Sequence, residues 1–265
     1  MVFSTRFKKF SLTTGFLSLL SLASLVSPAP SSATIVNGSF ENNNFSNWET
    51  FGRTFIKTSR YSSTPTDGTY QALLDTVALN ETTDEEEVQE HLLELADFLN
   101  LEVNRLINLR PGQVYEGSAI KTSFTAKIGD VLSFDWNFLT DSEEGDFMGW
   151  YNDLAFMTLS QDVDDLADTF SPLVRSLTVY ANETGYKTFK YTFKATGIYI
   201  LGLAVADVGD GSRDSALLVD NVKLTTSTEP TDPPTPIEVP EPLSVLGLLF
   251  FASCGVGCQR SHRPK

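Results

Sequence analysis

Ser118-Ala-Ile-Lys-Thr-Ser-Phe-Thr-Ala126, Lys127-Ile-Gly-Asp130 and Val131-Leu-Ser-Phe-Asp-Trp-Asn-Phe-Leu139 follow one another as an alternating run, a turn and a second alternating run. Apolar and polar residues change places along both arms, the period of a strand that buries one face. Outward from these two runs the same Thr-, Phe- and Tyr-rich texture recurs in Glu49–Lys57, Thr69–Val77, Leu154–Ser160, Ser176–Ala181, Lys187–Lys194, Gly197–Ala206 and Ser215–Leu224. Thr66-Asp67-Gly68 is a turn ahead of the second of these, and Thr34–Glu41 reads as a short opening strand with Asn37-Gly38 as its turn or bulge signal. About ten short strands at this spacing predict an all-β sandwich rather than a β/α fold.

Between 83 and 110 the period changes from 2 to 3.6. Val88, Leu92, Leu95, Ala96, Leu99, Val103 and Leu106 fall on one stripe, widened by Leu93, Phe98, Leu101 and Ile107. Thr83 with Glu86 has the capping-box spacing, Asp84–Glu87 suit the positive end of a helix, and Pro111-Gly112 stop it. The pattern predicts a helix, or two short ones broken at Asn100, inserted into the sandwich. It reads either as a lid or partner-docking helix or as a flap over an open sheet edge or face, and so wide an apolar stripe favours the flap.

The ends differ from the body. Residues 1–33 carry Arg6, Lys8 and Lys9, an apolar run from Phe16 to Val26 and Ser31-Ser32-Ala33, the pattern of a signal peptide cut after Ala33. Residues 226–238 are a Pro/Thr-rich linker, and 239–265 read Val-Pro-Glu-Pro, an uncharged span at about 243–258, then Arg260, Arg263 and Lys265. The span is about 24 Å long as a helix, near the lower limit for a transmembrane crossing, and its basic end places the body outside. The two cysteines, Cys254 and Cys258, lie inside it, so the body's stability cannot rest on disulfides. With both ends removed the body holds 13 basic and 33 acidic residues, about −20. Such a charge opposes nucleic acid and anionic lipid and favours cations.

This tail resembles the PEP-CTERM sorting signal of Gram-negative bacteria, with Pro240, Glu241 and Pro242 at the signature positions. The resemblance implies export, transient anchoring through the C-terminal membrane helix, processing by an exosortase-type membrane protease, and delivery to the cell surface or extracellular matrix. Asn37-Gly-Ser-Phe-Glu41 followed by Trp48, with Ser215-Ala-Leu-Leu-Val-Asp-Asn-Val-Lys-Leu224 at the far end, resembles the first and last strands of galactose-binding-like jelly rolls, the fold of many carbohydrate-binding modules. That likeness covers residues 34–225 and implies first and last strands side by side. Gly117–Lys121, Asp130–Asp141 and Asn152–Phe156 also resemble a recurrent extracellular domain of cyanobacterial proteins that carry this tail. In jelly rolls of this kind a carboxylate near the end of the first strand and an Asp of the last commonly share a structural calcium ion, and Glu41 and Asp220 match those positions. Two such carboxylates repel unless a cation lies between them. The alternative is that Asp220 only caps a turn or faces solvent. Strand alternation puts Asn221 on the opposite face.

His91 and His262 are the only histidines, so neither a zinc cluster nor a Ser-His-Asp triad is available. Asp141, Glu143, Glu144, Asp146 and Asp153 lie close enough in sequence for a two-carboxylate hydrolase, although acidic loops in so acidic a body are commonly just solvated. Asp207–Asp214 lacks the ligand spacing of an EF-hand loop and reads as a hairpin turn. The expectation is a non-enzymatic surface module that binds polysaccharide or builds structure, with a polysaccharide-acting hydrolase as the rival.

Overall fold

The alternating runs pair into two antiparallel sheets that bury their facing sides. The structure, a computed structural model, describes residues 34–61, 63–77, 84–110, 112–141, 151–209 and 213–227. The chain separates into two units, Met1–Thr226 and Ser227–Lys265, and the sandwich belongs to the first. The expected signal peptide, sorting motif and 243–258 span lie outside the described residues. Among the described residues no helix is long and apolar enough to cross a membrane.

The strands are β1 (Glu49–Phe51), β2 (Arg53–Thr58), β3 (Tyr70–Asp75), β4 (Val114–Ala126), β5 (Val131–Thr140), β6 (Leu154–Leu159), β7 (Asp162–Asp168), β8 (Val174–Arg175), β9 (Asn182–Glu183), β10 (Lys187–Thr192), β11 (Gly197–Val208) and β12 (Ser215–Thr225). One sheet runs β1-β4-β11-β6-β7; the other runs β2-β3-β12-β5-β9-β8, with β10 also on β5. Ile120, Phe124, Met157, Leu201, Leu203 and Val205 of the first meet Leu74, Phe134, Trp136, Phe138, Leu217 and Val219 of the second in one core.

Glu49–Lys57, expected as one strand, is two, and they belong to different sheets. Gly52 makes the corner at φ +67°, and a Cβ there would lie 2.5 Å from both Gly117 O and Ser118 Oγ, so any side chain collides. The expected opening strand Thr34–Glu41 is a run of turns, with Asn37 and Phe40 at positive φ. It still lies beside the last strand, where Val222 N donates to Gly38 O at 2.9 Å. Ser176–Ala181 is a bend rather than a strand, with Leu177 and Val179 each 80% exposed. β7, four aspartates in seven residues, is an edge strand; Arg110 pairs with Asp165 at 2.8 Å and Asp168 at 3.1 Å.

The insert is two helices, α1 (Glu85–Phe98) and α2 (Val103–Ile107), separated by Asn100 at φ +55°. The N-cap of α1 is Asp84, whose Oδ1 accepts from Glu86 N at 2.9 Å; Thr83 of the expected capping box lies outside the described residues. Leu92, Leu95, Ala96, Leu99 and Leu106 lie on the outward apolar face of the first sheet, on Ala119, Leu154, Phe156, Ala204, Ala206 and Val208. The helix approaches so closely that a Cβ on Gly117 would come within 2.7 Å of Leu95 Cδ2. Leu95 is fully buried, so Leu95→Ala is expected to lower the unfolding free energy by about 3 kcal/mol in a denaturant titration. A loss below about 1 kcal/mol would mean that the insert is not part of the core.

Candidate functional site

Where the chain turns the corner at Gly52, α1 leaves a cleft of about 440 Å³ at the end of the sandwich. Its floor is built from three strands distant in sequence. Arg53 opens β2, Asp75 ends β3, and Glu116 and Ser118 lie in β4. Ser118 Oγ accepts from Arg53 N at 2.7 Å and donates to Asp75 O at 2.7 Å, locking the strands together. Arg53 Nε holds Asp75 Oδ1 at 2.7 Å, and the helix wall adds Glu87, His91 and Glu94.

The register explains how Glu116 reaches this place. Asp207 pairs with Glu116 but Val208 pairs with Val114, so Tyr115 is the extra residue of a β-bulge. Val114 therefore packs under the helix, while Glu116 keeps the alternation of Ser118 and Ile120 toward the space between the sheets. Glu116 Oε2 is buried and has no hydrogen-bond partner among the described residues. Burial pushes its carboxyl up to about 7, with the charges of Asp214 and Asp75 adding to the rise and Arg53 opposing it. His91 Nε2 lies 3.0 Å from Gly117 N and 3.1 Å from Gly117 O, and burial lowers its pKa against the bond to the Gly117 backbone.

Glu41 and Asp220 converge on a different element, the turn Thr66–Tyr70. Asp220 is fully buried; its Oδ2 accepts from Thr66 N at 2.7 Å, Asp67 N at 2.9 Å and Thr66 Oγ1 at 3.2 Å. Its Oδ1 accepts from Asn221 N at 2.7 Å. Glu41 Oε1 accepts from Thr69 N and Tyr70 N, each at 2.8 Å. The two carboxylates thus clamp one turn from both ends. Asn221 does not face away: it sits in a bulge at φ +53°, and its Nδ2 donates to Asp135 Oδ2 at 2.9 Å. Asp135, opposite Asp220 in the register, also accepts from Thr188 Oγ1 at 2.5 Å. Burial works to raise its pKa, but the bonds from Thr188 and Asn221 outweigh it, and the carboxyl titrates below its ordinary range. Among the described residues no three metal-ligating side chains cluster. A cation at the clamp would complete its shell with carbonyl oxygens.

Of the carboxylates weighed for hydrolysis, Glu143, Glu144 and Asp146 lie outside the described residues. Asp153 is buried and accepts from Val208 N at 3.0 Å and Ser215 Oγ at 2.6 Å, and Asp141 accepts from Ala181 N at 2.7 Å. Both fasten strands and loops. The cleft residues Arg53, Asp75 and Glu116 escaped the sequence reading because no motif joins them.

No protein-family profile and no curated protein matches the chain. Solved structures do. TmCBM61 in complex with beta-1,4-galactotriose is 12% identical over 72% of this chain and 97% of its own, with a TM-score of 0.35. A cyclase from Fischerella sp. TAU is 13% identical over 73% and 98%, at 0.36. The CBM22-1–GH10 modules of a Clostridium thermocellum xylanase are 11% identical over 69% and 27%, at 0.26. Likeness at this level lends the chain no function.

The clamp has a pH signature. Burial pushes the Asp220 carboxyl up to about 6 from an ordinary 3.8, against the pull of its backbone bonds to Asp67, Asn221 and Thr66. A raised carboxyl favours the folded state in acid, and that contribution is lost as pH rises through about 6. In cation-free buffer, unfolding free energy measured from pH 4 to 7 should therefore carry a falling component through about 6. Asp220→Asn should lose about 1–3 kcal/mol overall and flatten that component. An unchanged slope would show that Asp220 is not its source.

Proposed function

We propose that residues 34–225 form an exported, non-enzymatic module of the jelly-roll kind that binds polysaccharide at the cell surface or in the extracellular matrix. The supporting observation is the cleft beneath the helical insert. At about 440 Å³ it lies in the size range of small-molecule sites, and the charged groups of its floor stand on strands. A guanidinium and carboxylates side by side suit neighbouring hydroxyls, which donate and accept along the same edge. Val77 lines the cleft. Val77→Trp should abolish capture on immobilised polysaccharides while leaving the melting temperature unchanged. Equal capture by parent and variant would remove the cleft from the reading.

One observation favours the rival hydrolase: a carboxyl near pKa 7 in a cleft has the character of a general acid. Against it, Asp75, the other floor carboxylate, is engaged by Arg53. No release of reducing ends is expected from any polysaccharide in the same assay, and turnover abolished by Glu116→Gln would establish the enzyme instead.

Export and sorting rest on the terminal patterns. Glu241→Ala or Pro242→Ala in the producing cell should accumulate as a longer, membrane-bound form, while the parent is shorter and outside. Equal size and place for both would leave a plain anchor.

Calcium belongs to the same proposal, with Glu41 and Asp220 as ligands. Glu41 and Asp220 bracket one turn, and Asp220 carries a desolvated charge that a hard cation would offset. The parent should melt several degrees higher in millimolar calcium than in EDTA, and Glu41→Ala or Asp220→Ala should lose the gain. No gain in the parent would leave the turn amides as the sole partners.

A further inference from the structure

One end of the sandwich differs in charge from the rest of the body. The turn 127–130 and the bend 193–196 lie side by side there: Gly129 N donates to Phe193 O at 2.8 Å, Phe193 N to Asp130 O at 2.9 Å, and Ile128 N to Thr196 Oγ1 at 3.2 Å. β12 ends beside them, with Thr225 opposite Val131, so the chain leaves the sandwich from this end. The stretches that meet here, 123–134, 189–201 and 221–227, hold four lysines, Lys127, Lys190, Lys194 and Lys223, and a single carboxylate. That carboxylate, Asp130, is buried and accepts from Lys127 N at 2.8 Å. Lys190 and Lys223 flank Ser133 from its two sides in the register. A strongly acidic body thus carries a local basic surface.

Two large apolar side chains stand in the same place. Ile198 is 78% exposed and Ile128 66%. One exposed isoleucine is ordinary. These two, however, sit on adjoining segments whose backbones are bonded to each other, over a base of packed rings in which Phe193 meets Phe124 at 5.8 Å, Tyr191 at 5.1 Å and Tyr199 at 4.5 Å between centroids.

We infer that this end is a membrane-contact face, with Ile128 and Ile198 entering the headgroup region of an anionic bilayer and the four lysines meeting its phosphates. Apolar tips among long basic side chains suit that boundary, where the stems lie along apolar material and the ammonium groups stay in the polar layer. The anionic surface supplies the charge that the lysines lack. A second copy is the poorer occupant, since a two-fold contact sets lysines against lysines. A chain anchored through residues 243–258 would be tethered by this same end. The cleft lies at the other end, where β3 finishes and β4 begins, and faces away from the bilayer in this orientation. The inference does not depend on what the cleft binds.

The test uses the purified full chain with Cys254→Ser and Cys258→Ser and one new cysteine, Ile128→Cys, Ile198→Cys or, at the opposite end, Leu177→Cys, each carrying a polarity-sensitive nitrobenzoxadiazole dye. Vesicles are phosphatidylcholine alone or an equimolar mixture with phosphatidylglycerol. The tail is common to all three chains, so differences among the positions report the body. Emission from positions 128 and 198 should rise at least twofold on the mixed vesicles, and emission from 177 should not change. Lys127→Glu combined with Lys194→Glu should cut that rise at least twofold at an unchanged melting temperature. No rise at 128 and 198, an equal rise at 177, an equal rise on phosphatidylcholine alone, or a full rise in the lysine variant overturns the inference. So does a rise without vesicles as the protein is concentrated, which would assign the face to a second copy.

Discussion

A sheet with two apolar faces cannot be left with one of them in water, and the five-stranded sheet here is such a sheet. Along β6 and β11 the odd residues Met157, Leu203 and Val205 enter the core while the even residues Phe156, Ala204 and Ala206 point the other way. The second face is covered by α1 and α2, whose own 14 and 5 residues are too short to hold helical structure alone in water. Sheet and insert therefore stabilise each other. That dependence also makes the cleft, because the helix meets the sheet where the chain changes sheets and does not close over the corner.

The corner itself is held by few atoms. Gly52 lets the backbone turn, and one hydroxyl, Ser118 Oγ, takes the amide of Arg53 and reaches the carbonyl of Asp75. Polar groups fixed in this way lose little freedom when a ligand arrives.

Much of the sandwich is legible in the sequence because strand alternation and burial are the same fact seen twice, and Ser118–Ala126 and Val131–Leu139 both appear as strands, in different sheets. Failures have local causes. Asp162–Asp168 carries residues depleted in strands, yet it pairs with β6, whose six buried residues outweigh its poor propensity. Leu177 and Val179 look like core and are exposed, because periodicity does not reveal whether a partner strand exists. Asn221 turns to the wrong side because a bulge shifts the parity of everything after it. Glu41 and Asp220 stand out in the sequence only through the resemblance to jelly rolls, and both accept from amides of the turn Thr66–Tyr70. The cleft was invisible for the opposite reason, since Arg53, Asp75 and Glu116 are neighbours only after three strands and a bulge have been placed.

The aspartates of β7 have a colloidal consequence. An open strand edge is a template on which another strand can add, and a protein at high concentration offers that template many neighbours. Lining the edge with Asp162, Asp164, Asp165 and Asp168 makes each edge repel its copy, while Arg110 compensates two of the four from within the same molecule. Copies can then be packed side by side without their sheets fusing into a fibre.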